Sequence, residues 1–170
     1  FEQLQMLHLA IYAPSAFILP SQLWKYKEEE STTGHRLSIE EREQGIQRLM
    51  NMQLLKRLES SVNSFRLTLT RIRDYMQETL DAIASFQNGE RRVSVDDYES
   101  VDGDEDEQDF TIGKKKNRIL LEDMDYISWQ KEIKDDLDII RLLLLMLQSI
   151  TPEHDSKLQQ LITDLKDKFA

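Results

Sequence analysis

Residues 55–83, LKRLESSVNSFRLTLTRIRDYMQETLDAI, decide how this chain folds. Apolar residues recur in them at alternating gaps of three and four: Leu55, Leu58, Val62, Phe65, Leu69, Ile72 and Met76. After a one-position skip the series resumes at Leu80 and Ile83. That spacing is the seam of a long helix that packs against other helices. The surrounding stretch, Ile39 to Asn88, has no proline and a single glycine, Gly45. At ~1.5 Å per residue it could reach roughly 70 Å. A compact domain of this length has a radius of gyration of only about 15 Å. The run must therefore protrude, bend or belong to something larger. Gly45 and the weak helix formers Ser60, Ser61, Asn63 and Ser64 are where a bend is expected.

Both ends of the run carry stop signals. Ser38 is followed three residues later by Glu41, a capping box in which the hydroxyl takes an orphan amide and the carboxylate returns to the cap's own amide. Gly89 is a C-cap candidate. Beyond it, Val93 to Asp109 holds nine acids and no base, a density that repels itself and is read as a mobile acidic loop. Gly113-Lys114-Lys115-Lys116-Asn117 then reverses the sign.

A second long helical region is predicted over Ile119 to Ile150. Trp129, Ile133, Leu137, Ile140, Leu144 and Leu147 lie along one side, and Leu142, Leu143 and Met146 widen that face. Thr151-Pro152 reads as a restart, with a capping hydroxyl and proline at the first helical position. The helix that follows turns Leu158, Leu161, Ile162 and Leu165 inward. Upstream, Phe1 to Ala13 reads as the end of a helix stopped before Pro14. Pro14 to Pro20 is a buried apolar link. Ser21 caps a short helix carrying Leu23, Trp24 and Tyr26, and Ser31 to Gly34 is a polar loop. No strand and no internal repeat is expected.

Composition sets outer bounds. The apolar content of 39% supplies a helical core, and 32% charged residues with few glycines and prolines favour long helices. A formal charge of −10 argues against coating nucleic acid with the whole surface but leaves room for a local basic face. Cysteine is absent, which removes a disulfide framework and thiolate metal sites and fits a reducing, cytoplasmic setting. No apolar run approaches the ~20 residues of a membrane span, so no membrane partner is expected. The chain opens mid-pattern at Phe1, Leu4, Leu7 and Ile11, without an initiator methionine, and reads as a piece of a longer polypeptide.

Catalytic motifs are weak throughout. Asp102, Asp104 and Asp106 flank Gly103, but the glycine is in the wrong register for an EF-hand. The Gly113 to Lys116 stretch lacks the second glycine of a phosphate loop. His8, His35 and His154 stand in no metal-ligand spacing, no serine has a nucleophile-elbow context, and the paired acids Glu40-Glu41 and Asp135-Asp136 look like helix surface. One charge pattern stands out. Arg48, Lys56, Arg57, Arg66, Arg71 and Arg73 are interrupted by a single acid, Glu59. These bases either pair with the acids of the second helical region, Glu132, Asp135, Asp136 and Asp138, or track a phosphate backbone. Lys114, Lys115 and Lys116 are a second candidate set.

Residues 37–74, LSIEEREQGIQRLMNMQLLKRLESSVNSFRLTLTRIRD, resemble a helical region of bacterial Swi/Snf-type helicase-like ATPases of superfamily 2, where a helical insertion separates two RecA-like motor lobes. Residues 150–169, ITPEHDSKLQQLITDLKDKF, are similar to the stretch leading into the second lobe, with Asp155, Lys157 and Leu158 at the positions of an aspartate-x-lysine-leucine motif. The two stretches cover roughly a third to a half of the chain. No Walker lysine loop, DEAH-like motif or arginine finger motif occurs. The resemblance therefore implies that ATP, Mg and hydrolysis belong to a parent protein, and that this chain is its non-catalytic arm, touching DNA backbone or coupling the lobes.

The expectation is an all-α domain: a long antiparallel helical hairpin (36–89 and 118–150), a charged loop (90–117), short helices and a connector at the start (1–35) and a final helix (151–170). The function expected is nucleic-acid backbone contact within an ATP-driven DNA translocase or helicase. A coiled-coil module that self-associates or binds a partner helix is the alternative.

Overall fold

A computed structural model describes residues 2–26, 38–89, 94–96 and 118–150, together with Gln160 and Thr163. The fold is all-α, save for one short ribbon. Helix α1 spans Glu2–Gln5, α2 Ile39–Ser60, α3 Val62–Gln87 and α4 Tyr126–Gln148. Strands β1, Ser94–Asp96, and β2, Arg118–Leu120, pair antiparallel with Val95 opposite Ile119. No strand was expected. The two strands close the ends of the charged segment, and the pairing takes Ile119 and Leu120 from the anticipated second helix. That helix starts at Tyr126, after a 3-10 turn over Leu121–Asp123.

The capping box forms as the sequence predicts. Ser38 Oγ accepts from Glu41 N–H at 3.1 Å, and Glu41 Oε2 accepts from Ser38 N–H at 2.9 Å. At the other end Gly89 takes φ +94°, a conformation that suits glycine, and its N–H reaches Phe86 O. The anticipated bend is sharper than a kink. Ser61 is fully extended, φ −158° and ψ 125°, so the run is two helices joined by one residue. Ser61 N–H closes α2 on Arg57 O, and Ser61 Oγ accepts from Ser64 N–H to cap α3.

The predicted seam fares differently on the two sides of the break. In α3 the predicted seam holds: Phe65, Leu69, Ile72, Met76, Leu80 and Ile83 are all buried. In α2 it lies at the core's edge: Leu55 and Leu58, like Val62 just past the break, are half-buried and pack against the core. The buried line there is Glu43, Ile46, Met50 and Leu54. At ~100° per residue Leu54 and Phe65 fall within about 20° of the same direction, so the buried lines of α2 and α3 stay nearly in phase and the inner place in α2 goes to Leu54, one position before Leu55.

Helices α3 and α4 form the antiparallel pair. Arg66 reaches the carboxyl end of α4, and Gln77 Oε1 accepts from Arg141 farther along. Trp129, Ile133, Leu137, Ile140, Leu143 and Leu147 bury along α4. Leu142 and Met146 are exposed, so the apolar face is narrower than expected.

The expected first helix is a single turn, α1. The chain continues as an irregular strap, residues 6–19, containing 3-10 turns at Ala10–Tyr12 and Pro14–Phe17. Leu9 has φ 56° and ψ 46°, a left-handed conformation rare for leucine, and it is completely buried. The link from Pro14 to Pro20 is buried at Pro14, Ser15 and Ile18, as anticipated, but Ala16 and Leu19 face solvent. Residues 17–19 run beside 123–125: Leu19 N–H donates to Asp123 O at 2.8 Å and Asp125 N–H to Phe17 O at 2.7 Å. Ser21 caps nothing. The following 3-10 helix, Pro20–Lys25, is preceded by Leu19 and has no side-chain cap. The polar loop, most of the acidic run, the lysine triplet and the final helix's Leu158, Leu161, Ile162 and Leu165 lie outside the described residues.

Candidate nucleic-acid interface

The basic residues singled out above sit on the outward and flanking sides of α2 and α3, but the fold gives them unequal roles. Arg48, Lys56 and Arg71 are exposed. Arg57 is half-buried and already engaged. Arg66 is not available at all. Its guanidinium donates to the carbonyls of Leu147, at 2.9 Å, and Ile150, at 3.1 Å. Leu147 lies in the last turn of α4 and Ile150 just past its end, where backbone acceptors lack helical partners and the helix dipole is negative. Arg66 is thus a C-terminal cap supplied from another helix. Arg73 lies against its neighbour Asp74, with Nε and Nη2 2.9 and 2.8 Å from Oδ1, in an exposed pair. Lys114, Lys115 and Lys116 fall outside the described residues. The stripe thereby reduces to three solvent-facing cations, with Arg73 beside them.

Three of the four acids proposed as partners for that stripe are engaged elsewhere. Glu132 sits 3.5 Å from the His8 ring, and Asp138 lies 3.6 Å from Arg141 of its own helix. Asp135 is exposed, as expected of helix surface. Asp136 is a correction: it is 2% exposed, and its carboxylate accepts the N–H groups of His8 and Ala10, both at 2.8 Å. Burial pushes its pKa up; the two amides and the His8 charge pull it back, and Glu132 adds to the rise.

Asp136 is one of several side chains that satisfy the strap's backbone. Trp129 Nε1 donates to Ala10 O at 2.9 Å, and Gln47 Nε2 lies 3.3 Å from both His8 O and Leu9 O. Glu43 is as buried as Asp136; Ser15 donates both its N–H and its hydroxyl to that carboxylate. Over residues 8–15 the strap pairs with no strand, so these groups meet the requirement that buried amides and carbonyls be paired. A cleft of about 470 Å³ opens beside it, with Glu40, Gln44, Glu132 and His8 among its lining residues. Among the described residues no group of histidines and carboxylates is arranged to hold a metal ion.

The strap's anchors were missed in the sequence although a signal existed. Counting back from Ile140 by the seam's spacing gives Asp136, Ile133 and Trp129; counting back from Ile46 by three gives Glu43. An acid that falls in phase with a core stripe asks for a buried donor. The signal says that a donor is needed; it does not say which one.

Near the ribbon, Asp123 is buried. Burial alone would raise its pKa, but hydrogen bonds from Tyr26, at 2.6 Å, and Lys25, at 3.0 Å, with the lysine's charge, hold it below the usual carboxylate range. Tyr26 moves the other way: burial, followed by its hydrogen bond to Asp123, raises its hydroxyl. Tyr26 also accepts from Leu120 N–H, so one side chain ties the 3-10 helix to β2 and Asp123.

Large apolar side chains also reach solvent. Leu142, Leu145 and Met146 form a strip on the outer side of α4, and Trp24 is 70% exposed. No helix among the described residues is long and apolar enough to cross a membrane.

Comparison with known proteins yields no match to any protein-family model, to any curated protein or to any solved structure.

Proposed function

We propose that this chain is a non-catalytic helical arm that contacts a nucleic-acid backbone. The observation that carries the reading is the group of solvent-facing cations, Arg48, Lys56 and Arg71, on α2 and α3. Exposed arginines grip phosphate with a bidentate fork and lysines as point charges, and contacts of either kind to the backbone carry no base specificity. The resemblance of residues 37–74 and 150–169 to Swi/Snf-type ATPases supports a parent that supplies ATP, Mg and two motor lobes, with this arm as a DNA-contacting or lobe-coupling insertion. Cytoplasmic residence belongs to the same reading.

Salt-dependent binding to duplex and single-stranded DNA tests it. Three phosphate contacts give a slope of log affinity against log salt of about −2.7 on duplex DNA. Charge reversal of Arg48, Lys56 and Arg71 is expected to abolish binding while leaving the helical circular dichroism unchanged, because none of the three is buried. Reversal of Arg66 would confound the result by uncapping α4. Affinity that is unchanged by the triple reversal sinks the reading.

The strip Leu142, Leu145 and Met146 favours a second reading, a helix-binding or self-association module. In that case the chain forms a concentration-dependent dimer or captures a partner helix without any salt-sensitive DNA binding, and Leu145→Glu disperses the complex.

A further inference from the structure

Helix α2 is joined and held differently from α3 and α4. At its carboxyl end a single extended residue, Ser61, separates two complete helices, and no helical hydrogen bond spans the joint beyond those that start or stop at Ser61 itself. Rotation about the φ and ψ of Ser61 therefore moves α2 as a rigid body. Its neighbours are the strap turns and α3. Gln47 bonds the strap at residues 8 and 9, while Tyr12 stacks on Tyr75 of α3 with ring centroids 6.3 Å apart. Gln47 and Tyr75 lie equally far from Ser61 along the chain, and α2 and α3 fold back directly on each other, while the strap turns lie along α2 and α4.

The inner face of α2 is the thinnest of the three. It buries Ile46, Met50 and Leu54 as its apolar contribution, against six apolar residues in each of α3 and α4. Its fourth buried side chain is the Glu43 carboxylate, which accepts the N–H and the hydroxyl of Ser15. A buried carboxylate tolerates loss of its donors poorly. The polar attachment of α2 to the strap is thus Glu43 on Ser15, with Gln47 on the carbonyls of His8 and Leu9.

We propose that α2 is a hinged arm, latched to the strap by Glu43–Ser15 and Gln47, and that it opens about Ser61 as a unit while α3 and α4 stay packed. Partial opening of this kind follows from unequal burial within one domain. It stands independently of nucleic-acid binding. The two halves of the exposed basic set, Arg48 and Lys56 on one arm and Arg71 on the other, change their separation when the arm moves.

Native-state hydrogen exchange on the full chain tests the hinge. Amides of 43–58 are expected to share one protection level, roughly tenfold or more below that of 68–83 and 130–145. Ser15→Ala is expected to lower the first group roughly tenfold again and leave the other two unchanged. A second measurement uses the absence of native cysteine. Spin labels on Gln44→Cys and Glu78→Cys, both exposed positions, should give a distance distribution that gains a longer component with Ser15→Ala or Glu43→Gln. Equal protection of all three helices overturns the hinge. Low protection of α2 that neither Ser15→Ala nor Glu43→Gln alters overturns the latch.

Discussion

Helices α2 and α3 come from one uninterrupted proline-free run, yet they are secured in different ways. Helix α3 buries Phe65, Leu69, Ile72, Met76, Leu80 and Ile83 in a regular stripe against α4. Helix α2 buries three apolar residues and one carboxylate, against α3 on one side and the strap with its two 3-10 turns on the other. The difference teaches that one sequence period can carry two kinds of cohesion. Dispersion and the hydrophobic effect hold α3, whereas α2 relies in large part on paired polar groups.

Truncating the cores should give the widest contrast. Leu69→Ala is expected to cost about 4 kcal/mol in chemical denaturation, because a fully buried site between two packed helices cannot collapse onto the cavity. Leu54→Ala removes a side chain that is just as buried, but from a helix able to resettle, and is expected to cost about 2–3 kcal/mol. Equal losses would mean that α2 is as rigidly packed as α3.

A polar deletion probes the strap from the α4 side. Asp136→Leu leaves the amides of His8 and Ala10 without their acceptor and is expected to cost about 3 kcal/mol. Asp136→Asn keeps one acceptor oxygen and should lose less. The same residue has a pH signature. Its folded pKa lies above the ordinary carboxylate value, so its contribution is fully present below that value and declines as pH rises through the raised one. Asp123 has the opposite sign: its stabilisation is present above the ordinary value and disappears as pH falls through the depressed one. Unfolding free energies from pH 3 to pH 7 for wild type and Asp136→Asn should differ by a gap that changes over the raised titration. A gap constant with pH would refute the assignment.

Smaller effects lie at the joint. Arg66→Ala removes the donors to Leu147 O and Ile150 O and is expected to cost about 1–2 kcal/mol, fraying the last turn of α4 in hydrogen exchange. Ser61→Ala removes the α3 cap and is expected to cost about 1 kcal/mol. A neutral Ser61→Ala would mean that the joint is set by packing on either side and not by the cap.

Much of the architecture was legible beforehand for local reasons. The Ser38–Glu41 box, Gly89, the serine-rich break and the α3 and α4 stripes all express interactions among residues a few positions apart. The two strands were illegible because three-residue pairings depend on a partner over twenty residues away. The seam through Leu55, Leu58 and Val62 lies at the edge of the core because Leu54 takes the inner place, and a 3.6-residue period does not choose between adjacent leucines. The candidate site was legible only in outline. All six cations of the stripe look alike in sequence, but Arg66 lies next to a helix end that belongs to another segment, and Arg73 beside Asp74.

The amino-acid order alone determined that the chain would be helical, where its principal helix would begin, and which residues of α3 would face inward. Short-range hydrogen bonding and a 3.6-residue period require nothing from elsewhere in the chain. Tertiary structure alone decided which face α2 turns inward, that Asp136 and Glu43 lie inside holding a strap, and that Arg66 caps another helix. Each of those outcomes depends on a donor, acceptor or cavity contributed by a distant segment, and no local rule encodes its position.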